Sequence, residues 1–160
     1  MIKHWLILIL FVFAFACRWE RIIVDLPPNT EPDTTIKSGT SFGECLGYCR
    51  SELEIKVTGV TFTRSGWNIN EYPPMSVWQE MSRDEWQKLV QLIDQKTIAE
   101  MDDIYGCPDC ADGGAEWIEV IQDDFSKKVT FEFGTTLEPI QPLLDEVRQI
   151  RAQLENLLPL

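Results

Sequence analysis

The N-terminus of this 160-residue chain decides which part of it is available to fold. A short basic start, Met1–His4, leads into an unbroken apolar run of 12 residues from Trp5 to Ala16. That run is too short to span a bilayer, which needs about 20 apolar residues. A basic start, a short apolar run and a small residue before the cut are typical of a secretory signal peptide. We therefore predict that residues 1–16 are removed and that the rest forms the mature protein.

A cysteine, Cys17, follows the predicted cleavage point. The sequence Ala14-Phe-Ala16-Cys17 resembles the lipobox of bacterial lipoproteins, in which the cysteine is lipidated and becomes residue one. The resemblance implies an envelope lipoprotein anchored in the membrane through lipid on Cys17. The residue after Cys17 is Arg18, whereas an Asp at that position would resemble an inner-membrane retention signal. The expected location is therefore the outer membrane, facing the periplasm or the surface. Simple secretion is the alternative, because Ala14 and Ala16 also satisfy the A-x-A cleavage rule.

The predicted mature chain contains no histidine, because His4 is the only one in the sequence. This removes the commonest general base and metal ligand at neutral pH, and with it every Ser-His-Asp or Cys-His arrangement within one chain. Without Lys3, 13 basic side chains face 26 acidic ones, a net charge of −13. So acidic a chain repels nucleic acid phosphates. Catalysis would have to use Asp/Glu pairs, thiols or a lysine, and no complete arrangement of this kind is visible in the sequence. We predict a protein that does not bind nucleic acid.

The mature chain divides into a tether and one domain. Three prolines among Asn, Asp and Thr residues predict that residues 17–40 carry the lipidated Cys17 on a flexible tether. Within this stretch, Arg21–Leu26 has enough β-branched residues for an edge strand. Residues 41–160 are then predicted to form a single domain, as their number suggests.

Hydrophobic periodicity predicts an α+β fold. Two stretches alternate apolar and polar residues with a period of two, which predicts two β-hairpins. Ser82-Arg-Asp-Glu85 has the form of a capping box and predicts a helix over 83–95. Apolar residues at helical spacing after Pro139 or Pro142 predict a last helix. The hairpins are predicted at 52–64, turning at Gly59, and at 117–133, turning at 123–127 with Val129, Phe131 and Phe133 on the core face; residues 65–81 are a predicted loop.

The predicted order of elements is therefore ββ-α-ββ-α. Such an order builds an antiparallel sheet of two β-hairpins with two helices packed on one face.

Four cysteines remain beyond Cys17: Cys45, Cys49, Cys107 and Cys110. An even number of cysteines in an exported protein predicts disulfides, and four cysteines allow three connectivities. One alternative is a redox centre, because Cys107-Pro-Asp-Cys110 has the C-x-x-C spacing that lowers a thiol pKa. The neighbouring Asp109 would oppose that effect.

The second alternative is a zinc site with all four cysteines as ligands, which an oxidising compartment opposes. The acidic residues around 102–116 could also bind calcium through oxygen ligands. The leading prediction has disulfides, no catalytic residue, no metal and no cofactor.

The segment Ser41–Cys49 leads into Leu53-Glu-Ile, a capped helix and a Cys/Asp-rich loop before a strand pair. This arrangement, over roughly residues 38 to 133, resembles a family of bacterial lipoproteins of unknown function. There a Gly-Cys-Phe-Gly-x-Cys-Pro-like opening precedes a hairpin. The resemblance implies the domain and no activity. We predict a disulfide-stabilised binding or structural module with an unidentified protein or ligand partner; the alternatives are a thiol–disulfide oxidoreductase using Cys107 and Cys110, and a zinc module.

Overall fold

A seven-stranded sheet forms the framework of the domain in a computed structural model, which describes residues 32–159. The predicted signal peptide, Cys17, Arg21–Leu26 and the first part of the predicted tether lie outside this range. The strands are β1 (Thr34–Ser41), β2 (Arg50–Lys56), β3 (Gly59–Ser65), β4 (Met75–Gln79), β5 (Ile104–Tyr105), β6 (Ala115–Gln122) and β7 (Phe125–Glu132). Their order in the sheet is β4-β3-β2-β1-β6-β7-β5, antiparallel except where β5 meets β7.

The three helices are α1 (Arg83–Val90), α2 (Gln95–Glu100) and α3 (Gln141–Glu155), with a 3-10 turn at Glu138–Ile140 leading into α3. None of the described helices is long and apolar enough to cross a membrane. The α+β class predicted from the sequence is confirmed, but the sheet has seven strands instead of four.

Both predicted hairpins are present. β2 and β3 pair with Leu53 opposite Phe62, and β6 and β7 pair with Ile118 opposite Val129. Three details were wrong. The first hairpin turns at 57–58, because Gly59 already pairs with Lys56, and the second turns at 123–124, because β7 begins at Phe125. Phe133, predicted on the core face, follows the end of β7 and is 48% exposed. β7 ends at Glu132. Beyond the end of a strand, the alternation of inward and outward side chains no longer applies, so Phe133 need not face the core.

The boundary of the predicted tether requires a correction. Residues 34–40 were predicted as part of the tether, yet with Ser41 they form the central strand β1 between β2 and β6. Ile36 pairs with Ile55 on one side and Val120 on the other, and it is fully buried. The alternation in β1 was hidden because its other inward residues are Thr and Ser, which are small and polar.

The helix predicted over 83–95 ends early, at Val90, and a second short helix begins only at Gln95. Its capping box is confirmed: the Ser82 N–H donates to Glu85 Oε2 over 2.9 Å, and the Glu85 N–H donates to Ser82 Oγ over 3.3 Å. α1 ends at Val90, and Asp94 then accepts the backbone N–H groups of Lys96 and Thr97 as the N-cap of α2. Asp favours such a cap over the interior of a helix, which explains the interruption.

An apolar core joins one face of the sheet to the helices. It contains Ile36, Leu53, Phe62 and Phe131 from the strands, and Trp86, Ile98, Leu143, Leu144 and Val147 from the helices. The opposite face of the sheet carries exposed charge pairs, such as Lys37 and Lys56 with Glu54. The domain is therefore two layers deep, and any site involving α3 lies on the core side of the sheet.

Candidate functional site

The core face of the sheet changes from apolar to polar at one end. Thr40, Ser51, Arg64 and Glu116 lie in one row across β1, β2, β3 and β6. The next row holds Ser38 with three apolar residues, and the row beyond it is wholly apolar. Thr40 Oγ1 and Ser51 Oγ are 2.6 Å apart. The polar row is buried at Arg64 and Glu116, which marks it as the chemically distinctive part of the domain.

Two arginines of α3 meet the carboxylate of Glu116. Arg148 donates from Nη2 to Oε2 over 2.7 Å, and Arg151 donates from Nη1 to Oε1 over 2.8 Å. Arg148 Nη2 also donates to the Thr135 carbonyl over 2.8 Å, while Arg151 Nη2 contacts Ser38 Oγ. Residues three apart on a helix share a face, so both guanidinium groups reach the same carboxylate. The cluster fastens the last helix to the polar row.

The ionisation of Glu116 follows from these contacts. Burial alone would raise the pKa of this carboxyl, but the hydrogen bonds and charges of Arg148 and Arg151 outweigh it. The pKa of Glu116 is therefore lowered from its usual 4.5. At neutral pH the carboxylate is charged, and it compensates part of the positive charge beside it.

Arg64, the other buried charged residue of the polar row, has no ion-pair partner among the described residues. It is 9% exposed, and its guanidinium lies over the Tyr48 ring, 4.4 Å from the ring centroid. It donates from Nη2 to the Pro159 carbonyl, whereas its Nε has no hydrogen-bond partner among the described residues. None of the ion pairs within residues 32–159 includes Arg64. It is therefore a buried cation with no carboxylate of the described residues at ion-pair distance.

A cleft of about 400 Å³ opens between α3 and the polar row. Arg64, Arg148 and Arg151 line its wall, and Phe42 and Phe133 lie among its lining residues with ring centroids 5.0 Å apart. A larger groove lies between α1 and α3, but none of the buried charged residues of the described chain lines it. The smaller cleft therefore has the features of a recognition site.

The predicted cysteines lie in two loops that meet beside this cleft. Cys45 and Cys49 have Cα atoms 5.7 Å apart, and Cys107 and Cys110 have theirs 5.4 Å apart. Both separations are those of disulfide partners. The Gly43 N–H donates to Asp109 Oδ1 over 3.1 Å and so connects the two loops. Of the three connectivities that the sequence allows, the structure favours the local one.

The zinc alternative has no geometric support in residues 32–159. No group of three or more His, Cys, Asp or Glu side chains there is arranged to hold a metal ion. The predicted calcium alternative also lacks geometric support in these residues, because Glu116 forms ion pairs with arginines and Asp103 with Lys127. Asp109 accepts from Gly43, as described above.

The redox alternative lacks the helix that activates such motifs. A C-x-x-C thiol usually gains its low pKa at the start of an α-helix. Cys107 is instead followed by a 3-10 turn, Cys110–Asp112, in which Ala111 has a φ of +50°. The left-handed conformations of Asp109 and Ala111 prevent an α-helix from starting at this loop.

Sequence reasoning missed the arginines of the cleft, although a signal was present. Arg151 occurs one turn after Val147 on the apolar stripe of α3. Arg64 follows Phe62 by two residues and lies on the same, core-facing side of β3. Glu116 precedes Ile118 on the same face in the same way. A charged residue at a predicted core position indicates a buried ion pair or a binding site.

Comparison with protein-family models finds no match for this chain, and comparison with curated proteins finds none either. The resemblance to bacterial lipoproteins therefore stays a prediction from sequence. The function has to be argued from the cleft and from the two cysteine loops.

Proposed function

We propose that this protein is a non-enzymatic binding module of the bacterial cell envelope, anchored through lipid on Cys17. In this proposal the pairs Cys45–Cys49 and Cys107–Cys110 are disulfides that fix the two loops beside the cleft. The binding role is carried by one observation: the buried charged side chains of Arg64, Glu116 and Arg151 line a cleft of about 400 Å³, within the size range of ligand pockets.

The loop geometry supports the role of the cysteines. Cys49 is 2% exposed and lines the cleft, and the Phe42 N–H donates to its carbonyl over 3.1 Å. A covalent link from Cys45 to Cys49 would hold Phe42 and Tyr48 in place before a ligand arrives. Preorganised loops lose less conformational entropy on binding, so a fixed mouth favours affinity.

The anchor rests on the N-terminal sequence. Sixteen residues separate Cys17 from Thr34 at the start of β1. Fully extended, they would span at most about 55 Å. Such a tether would let the domain meet a partner at some distance from the membrane surface. Lipidation with more than one acyl chain would make the attachment stable.

The anchor is tested on protein isolated from membranes. Cleavage after Glu20 releases a peptide that begins at Cys17, and its mass should exceed the peptide mass by the attached acyl groups. A Cys17→Ser variant should move to the soluble fraction. The matched control, Arg18→Asp, should keep the lipid and shift towards the inner membrane. A peptide with an unmodified Cys17 would contradict the anchor.

A second candidate function is envelope thiol–disulfide exchange. The observation that favours it is that Cys107 and Cys110 are both exposed, at C-x-x-C spacing. If it holds, the protein reduces insulin and Cys107→Ser abolishes the activity while the fold survives. An inactive parent protein eliminates this candidate, and the binding module predicts that outcome.

A further inference from the structure

We propose that the cleft binds the oxyanion of a small organic acid, a carboxylate or a phosphate monoester, with Arg64 as the anchoring cation. This proposal rests on the binding role above and names its ligand class. It does not depend on the lipid, and the disulfides affect only how tightly the cleft binds, so it can fail while those claims survive.

The first argument is the missing counter-charge. Buried charges in proteins are normally paired, because desolvating an isolated ion is costly. Arg64 is 9% exposed, its Nε has no acceptor among the described residues, and no ion pair within residues 32–159 includes it. The Tyr48 ring and the Pro159 carbonyl partly solvate the cation but bring no negative charge. An anionic ligand would supply it.

The second argument is the local charge balance. Four arginines and two glutamates line the cleft, so two positive charges remain uncompensated: Arg50, Arg64, Arg148 and Arg151 against Glu116 and Glu155. The chain as a whole carries a net charge of −12. The cleft therefore has a net positive charge within an acidic protein, and its low-dielectric walls strengthen the attraction for an anion.

The third argument is the shape of the ligand that would fit. Guanidinium groups bind the planar oxygens of carboxylates and the oxygens of phosphates in a bidentate manner. The hydroxyls of Thr40 and Ser51 line the same cleft; one donates to the other, and the second can donate to a ligand oxygen. Phe42 and Phe133 add apolar surface. The ligand should therefore join one oxyanion to an apolar body.

Calorimetric titration of the full processed protein tests this directly. The probes are sodium benzoate and phenyl phosphate, with phenol as the neutral control and sodium chloride holding the ionic strength constant. Saturable binding of at least one anion is expected, with no saturation by phenol. Binding of benzoate alone would identify a carboxylate ligand, and binding of phenyl phosphate alone a phosphate monoester.

The variants assign the binding to Arg64. Arg64→Met should weaken it about tenfold or more, the equivalent of one lost charged hydrogen bond. Lys37→Met removes the same charge from the open face of the sheet and should leave the affinity unchanged. If Arg64→Met does not fold, Arg64→Lys keeps the charge without the bidentate geometry and should still weaken binding. Absence of saturable binding by either anion, or unchanged binding by a folded Arg64 variant, would overturn the proposal.

Discussion

Arg151 in the last helix donates a hydrogen bond of 2.8 Å to Glu116 in β6, 35 positions earlier in the chain. Both side chains are buried, Glu116 completely. This contact, with those of Arg148, joins α3 to the polar row of the sheet. The same carboxylate thus holds the helix in place and tunes the charge of the cleft.

Replacing Glu116 should destabilise the domain strongly. Glu116→Gln keeps the volume but leaves two guanidinium groups without their carboxylate, and breaking a buried pair costs about 3–5 kcal/mol. The matched control is Glu119→Gln on the open face of β6, where the carboxylate accepts from Ser126. A change within about 0.5 kcal/mol is expected there. Urea denaturation measures both, and equal effects would contradict the role of the cluster.

The lowered pKa of Glu116 predicts acid sensitivity. A carboxyl with a lower pKa in the folded state stabilises the fold above its unfolded pKa, and this stabilisation is lost as pH falls through the folded value. The free energy of unfolding should therefore be constant in this respect at neutral pH and decrease below about pH 4.5.

The contribution of Glu116 is isolated by difference. Glu85, hydrogen-bonded to Ser82, and Asp94, hydrogen-bonded to Thr97, also have lowered pKa values and act in the same direction. The free energy of unfolding of the parent protein should fall more steeply with acid than that of Glu116→Gln. Parallel curves for the two proteins between pH 6 and the acid limit of folding would be inconsistent with this assignment.

The two cysteine pairs should differ in what they control. Each closes a short loop, for which the chain-entropy model gives about 2 kcal/mol. Replacing Cys45 and Cys49 together with Ala should lower stability by about that amount and weaken ligand binding, because Cys49 lines the cleft. The corresponding double variant at Cys107 and Cys110 should lower stability alone. Thermal unfolding and anion titration of both variants separate these effects.

The capping box offers a small, local test. Ser82→Ala removes the hydroxyl that accepts the Glu85 N–H and should cost about 1 kcal/mol, whereas Ser82→Gly should cost only a few tenths. Urea denaturation of the two variants provides the comparison. Equal losses would indicate that Ser82 contributes through something other than its cap.

Where hydrophobic periodicity was strong, the sequence predicted the fold. The alternation through Leu53 and Ile55, and the stripe from Leu143 to Leu154, mark elements whose buried face is almost wholly apolar. β1 was not predicted because Thr34, Ser38 and Thr40 face inward, at positions where apolar residues would have indicated a strand. β4, which was predicted as part of a loop, has two apolar residues, Met75 and Val77, and the polar Gln79 on its inner face.

The site was harder to predict than the fold. The local spacing of the cysteines is visible in the sequence, but the choice of partners depends on loop conformations that no periodicity encodes. The cleft brings together Arg64, Glu116 and Arg151 from β3, β6 and α3, and long-range pairing of strands places them together. Each element contributes one charged residue to an otherwise apolar face, and the sequence does not show that the three residues are neighbours.

The most direct test of the disulfide-closed module is non-reducing peptide mapping by mass spectrometry, with free thiols alkylated before the protein leaves the membrane. The account predicts two complete disulfides, Cys45 with Cys49 and Cys107 with Cys110. Free thiols at these four positions, or bridges that cross between the two loops, would contradict it.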